Sequence, residues 1–137
     1  MLGWGLSFSE GNQTMVKIVT QDPAQRVPRV DEKMFVGRVM GQNLVADGDA
    51  PSQRVTAISF LDGARNRWHW HSTEQVLIVT NGEGIIADGA GEHPIKAGDV
   101  ILVQPNERHW HGAVPGRDMT HLAILLPGTM TVDDDQA

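Results

Sequence analysis

Cysteine is absent from the 137 residues, which excludes disulfides, thiolate nucleophiles, Fe–S clusters and cysteine-ligated zinc. Any metal must be held by His, Gln, Asp or Glu. Basic charge is scarce too: 11 Lys+Arg against 17 Asp+Glu give 11 − 17 = −6, the wrong sign for a surface that tracks a phosphate backbone. Nucleic acid is therefore not an expected partner. Apolar runs stay well short of the ~18 residues of a membrane span. The start, MLGWGLSFSEGNQT, has neither a basic n-region nor an apolar h-region. These absences lead us to expect a soluble, cytoplasmic protein with no membrane partner.

What is present is a composition of 40% hydrophobic and 20% charged residues with 15 Gly and 7 Pro. That suits one turn-rich globular domain without long helices. Residues 1–14, rich in Gly, Ser, Asn and Gln, read as a flexible N-terminal arm, residues 15–130 as the single domain, and 131–137 (TVDDDQA) as a frayed end. Pro23 and Pro28 break any helix early on, Met34–Met40 reads as a short strand, and the Gly/Asp/Asn-rich segment 41–52 reads as a loop. From Arg54 onward, short β-prone runs follow one another: 54–60, 75–80, 84–87, 99–103, 109–114 and 119–126. Asn81-Gly82 and Asp88-Gly89 carry hairpin signals, and Ala97-Gly98-Asp99 a further turn. The expected fold is all-β, a sandwich, jelly roll or small barrel.

Five of the six histidines fall in or beside these strands. Side chains alternate faces along a strand, so Trp-His-Trp-His at 68–71 puts His69 and His71 on one face and Trp68 and Trp70 on the other. If extended structure continues, Gln75, Leu77 and Val79 join the histidine face and Glu74 points away. By the same rule His109 and His111 share a face opposite Trp110, and His121 shares one with Ala123 and Leu125. Two imidazoles two apart can reach one ion, and neutral N/O donors suit a divalent first-row metal better than calcium or magnesium. His93, between Glu92 and Pro94, reads as an ordinary surface residue. The outward tryptophans are expected to pack on the N-terminal arm or a second subunit, and Arg65 and Arg67 to be solvated.

The spacing Gly63-x5-His69-x-His71-x3-Gln75-x6-Gly82, followed by GDVILVQPNERH at 98–109, resembles the two motifs of the cupin superfamily. Two departures stand out: Gln75 where the first motif ends in Glu, and Asn106 where the second usually has Gly. Asn tolerates the left-handed turn conformation, so that turn should survive. The resemblance implies a double-stranded β-helix (jelly-roll) barrel, often a homodimer, with one metal at its mouth held by His69, His71, Gln75 and His109. Within the superfamily the chain resembles small single-domain cupins with a Gln ligand, the manganese-dependent bacterial hydroxynitrile lyases and carboxymuconolactone-decarboxylase-like cupins. That likeness implies manganese first, with iron, nickel or zinc as alternatives, and gives His111 and His121 the substrate proton.

Replacing Glu by Gln leaves three imidazoles and an amide, all neutral, around the ion, so the full +2 remains to stabilise an anion. The expected function is a metal-dependent lyase on a small carbonyl or hydroxy compound, with the metal as Lewis acid and His111 or His121 as acid or base. Two alternatives are an iron-dependent dioxygenase and a non-catalytic small-molecule sensor. The orientation of Thr56, Ile58 and Phe60, which share a parity, is left open.

Overall fold

The structure is a computed structural model, which describes residues 15–137; the expected N-terminal arm, 1–14, lies outside the described residues. After a short 3-10 turn at Pro23–Gln25, the strands are β1 (Val27–Pro28), β2 (Phe35–Val45), β3 (Arg54–Asn66), β4 (His69–His71), β5 (Gln75–Asp88), β6 (Gly91–Lys96), β7 (Val100–Val103), β8 (Trp110–Ala113), β9 (Met119–Leu125) and β10 (Met130–Val132). All named pairings are antiparallel.

Two long strands organise the barrel. The first half of β3 pairs with β9, from Arg54↔Leu125 to Phe60↔Met119, and Arg65 near its end pairs with Gly112 of β8. β5 does the same from the other side, pairing with β7 and β9 through its first half and with β6 and β8 through its second. β8 and β9 therefore bridge β3 and β5 and close the sheet, which removes edges that would otherwise be free. The alternation that parity predicts is present: Gln75, Leu77 and Val79 are buried, while Glu74 is exposed. Phe60, Leu77, Val79 and Met119 fill the core.

Several local expectations are corrected. The segment Gly41–Val45, read as loop, continues β2, because its ladder with Ala57, Thr56 and Val55 of β3 overrides weak strand propensity. Asn81-Gly82 is not a hairpin turn. A type I′ turn needs positive φ at both central residues, and only Gly82 has it (φ 81°). There β5 shifts register between Val79 and Asn81 and passes so close to Asp118 that a Cβ on Gly82 would strike its carbonyl. Asp88-Gly89 does lie in the β5–β6 connection, Gly98 takes φ 98° in the next turn, and Asn106 takes φ 63° where the cupin motif has Gly.

The C-terminal residues, expected to fray, carry β10, whose Thr131 and Val132 pair with Trp70 and His69. Beyond it Gln136 accepts from the Trp68 N–H at 2.9 Å, and Arg108 binds Asp133 at 2.5 Å. Among the described residues the half-buried Trp68 and the buried Trp110 are packed by groups of the chain itself, and Trp70 is half-buried. Trp68 and Trp110 meet edge to face at 6.4 Å, with Arg108 over Trp68 and Arg65 over Trp110 at 3.7 Å. Arg65 is thus a stacking residue rather than a solvated one. His93 is exposed and contacts Asp88 at 3.0 Å.

Candidate metal centre and cavity

The three-residue strand β4 points His69 and His71 inward, and Gln75 follows as the first residue of β5. His109 comes to them through a reciprocal bridge: the His69 N–H donates to the His109 carbonyl at 3.0 Å, and the His109 N–H to the His69 carbonyl at 2.9 Å. The turn through Asn106 delivers it, with the Asn106 N–H bonded to the His71 carbonyl at 2.7 Å. Ring centroids are 4.3 Å apart for His69 and His109 and 5.0 Å for His69 and His71. The candidate ligand nitrogens of all three histidines lie within 4.8 Å of one another.

The tautomers follow from the backbone. His69 Nδ1–H donates to the Arg67 carbonyl at 2.7 Å and His109 Nδ1–H to the Glu107 carbonyl at 2.8 Å, which leaves Nε2 of each as an unprotonated acceptor. Nε2 of His69, His71 and His109 and Oε1 of Gln75 are all buried without a hydrogen-bond partner. Buried acceptors are rarely left so. Four of them, all neutral, fit a divalent cation and would be costly without one. Burial drives His69 down to about 3, with His109 adding to it, and His71 to about 4, so both are neutral and ready to coordinate. His109 is lowered as well, again chiefly by burial.

His111 on β8 and His121 on β9 form a separate pair. Nε2 of His121 lies 3.0 Å from Nδ1 of His111, so one proton sits between them. Burial pushes His121 to about 4 and His111 well below its ordinary value. Phe60 packs on both rings at 5.4 and 5.7 Å. The sequence reading missed Asn66, 2% exposed at the end of β3. Its Oδ1 accepts the His111 backbone N–H at 2.8 Å. Its Nδ2 lies 3.1 and 3.4 Å from the two ring nitrogens of His111, near-equal distances that put the amide over the ring face rather than on one lone pair. The available signal was its phase with buried Ala64 on β3.

Both groups border one cavity of about 420 Å³, lined by His69, His71, Gln75, His111 and His121 on one side. Thr56, Ile58 and Phe60, whose orientation the sequence left open, also face it. A closed antiparallel β-barrel with three buried histidines that could hold a metal ion is a cupin architecture. The sequence comparison agrees: residues 58–126 match the cupin domain model, half of the chain, and the protein belongs to the cupin family. It is 42% identical over 91 residues to an (R)-mandelonitrile lyase of Granulicella tundricola, covering 66% of this chain and 70% of that protein. Among solved structures, a cupin-like protein of Thermotoga maritima is similar with a TM-score of 0.73 at 31% identity, covering 85% of this chain and 92% of that one. A polyketide cyclase of Streptomyces resistomycificus shares the fold at 15% identity, with a TM-score of 0.72 and 89% of each chain covered. No helix among the described residues is long and apolar enough to cross a membrane.

Proposed function

We propose that this cupin is a metal-dependent lyase acting on a small carbonyl or hydroxy compound, with manganese as the expected ion. The observation that carries the reading is the division of labour in one cavity: four orphaned neutral acceptors, beside a histidine pair bonded to each other rather than to that set. The 42% identity to a mandelonitrile lyase supports the same reaction type. His69, His71, Gln75 and His109 would hold the ion. When bound, it supplies Lewis acidity undiminished by any ligand carboxylate.

The chain's own part is binding and proton handling. Phe60 and Ile58 shield the cavity wall from water and hold the substrate body. The neutral His111–His121 pair accepts the hydroxyl proton, and the hydrogen bond between the rings spreads the added charge. The carbon–carbon bond then breaks with its electron pair leaving on the departing carbanion, cyanide in the cyanohydrin case, and the carbonyl compound remains. The imidazolium so formed is strongly acidic, since burial disfavours its charge, and it returns the proton to the leaving anion. Asn66 keeps His111 in place through both steps.

The test is cyanide release from (R)-mandelonitrile by the metal-loaded protein and by His121→Ala. The reading expects release by the first, with turnover lowered ~10²-fold or more in the variant at unchanged metal content. Iron as the retained ion, with oxygen consumed and no cyanide released, would replace this reading with oxygen chemistry.

A further inference from the structure

The cavity carries a charged anchor outside the histidine and glutamine set. Arg29, just after β1, is pinned to β2 by its N–H, which donates to the Val39 carbonyl at 2.8 Å. Its side chain lies across the inward face of β2 at Gly41: a Cβ on Gly41 would fall on the guanidinium, so glycine there is the space the arginine occupies. Nη2 donates to Asn43 Oδ1 at 2.7 Å, which fixes the orientation of the planar group. Nε is buried with no partner.

Arg29 lines the same cavity as the histidines. Three other charged groups line it, and each is engaged. Arg54 and Asp47 pair at 3.1 Å, and the Asp31 carboxylate accepts the N–H groups of Lys33 and Met34 in its own turn. Among the described residues no carboxylate lies within ion-pair distance of Arg29.

The sheet register sets the span. Gly41 pairs with Ile58 on β3, and Ile58 pairs with His121 on β9. Two strand spacings of ~4.8 Å separate the arginine's seat from the proton-handling histidine by about 10 Å along the sheet. Ile58 forms the apolar floor between them. A planar guanidinium with a fixed edge and no counter-charge matches a carboxylate, which it can bind through two parallel hydrogen bonds.

We infer that the substrate carries a carboxylate at the end remote from its reacting oxygen, and that Arg29, seated on Gly41 and held by Asn43, selects it. The inference rests on the lyase reading for the reacting end alone; the arginine end stands on its own geometry. The substrate class is then an oxo acid or hydroxy acid with an apolar body. A neutral aldehyde would fill only the inner part of the cavity.

The experiment is calorimetric binding of 4-formylbenzoate and of its methyl ester, methyl 4-formylbenzoate, to the metal-loaded protein, to Arg29→Gln and to His109→Ala. The expected result is a preference for the carboxylate of about tenfold or more in the parent protein. It should be abolished in Arg29→Gln, with ester affinity unchanged as the internal control for folding. Gly41→Ala, which displaces the guanidinium, should lose the preference in the same way. Equal preference in the parent and in Arg29→Gln, or none in the parent, overturns the inference. His109→Ala separates the two ideas: if it leaves both affinities untouched while the preference still depends on Arg29, the carboxylate anchor stands and the metal reading falls.

Discussion

Acidifying the metal-free protein should unfold it in a pH window set by the buried histidines rather than by its carboxylates. Unfolded histidine has a pKa near 6.5, whereas burial holds His69 at about 3 and His71 and His121 at about 4 in the fold. Between those values the unfolded chain binds more protons than the folded one, so stability is intact above about 6.5 and is lost as the pH falls toward the folded values. At pH 5 the deficit is about 2 kcal/mol for each of the three, or ~6 kcal/mol if they act independently, and contacts between neighbouring rings reduce that sum. Even so it approaches the whole stability of a small domain, roughly 5–15 kcal/mol. The carboxylates Asp49, Asp88, Asp99 and Asp133 are all held below their ordinary value by hydrogen bonds, so their contribution goes only at still lower pH. The assay is urea unfolding of chelator-treated protein at pH 7, 6 and 5, with the metal-loaded protein alongside. The midpoint of the metal-free protein should fall steeply over this range. A flat midpoint from pH 7 to pH 5 would refute the reasoning, because it would mean that the imidazoles are not held neutral by the fold.

Two further outcomes follow from the cavity wall. Asn66→Ala removes the acceptor of a buried backbone N–H and the amide over the His111 ring. It should lower stability by about 1–3 kcal/mol and lower kcat with little change in metal content, as read by urea unfolding, turnover and elemental analysis. Phe60→Ala empties the space beneath the His111 and His121 rings. As Phe60 is fully buried, this should cost about 3–5 kcal/mol, measured by thermal or urea unfolding.

Much of the site was legible because strand parity is rigid. One residue of spacing decides a face, so His69 and His71 separate from Trp68 and Trp70 on sequence alone, and Gln75 follows them. Turn chemistry was legible where one residue alone sets the backbone, as at Asn106 and Gly98. It failed at Asn81-Gly82, because a dipeptide cannot report that β5 continues past it in pairing with both neighbours. Gly41 and Asn43 looked like loop residues because the β3 ladder that holds them in a strand, and the Arg29 side chain that Gly41 leaves room for, come from other segments of the chain. The C-terminal strand was hidden for the same kind of reason. Its partner is β4, about sixty residues away, and local polarity cannot show that. Asn66 and Arg65 act through partners on β8, which only the closed sheet brings near.

The most direct test of the account is the metal content of untagged protein purified without chelator, with His109→Ala beside it and circular dichroism to show that both fold. Close to one divalent transition ion per chain is expected in the parent and a large loss in the variant, because one of the three histidines that lie together is gone. Full occupancy retained in His109→Ala, or no metal in the parent after reconstitution with manganese, iron, nickel and zinc in turn, would contradict it.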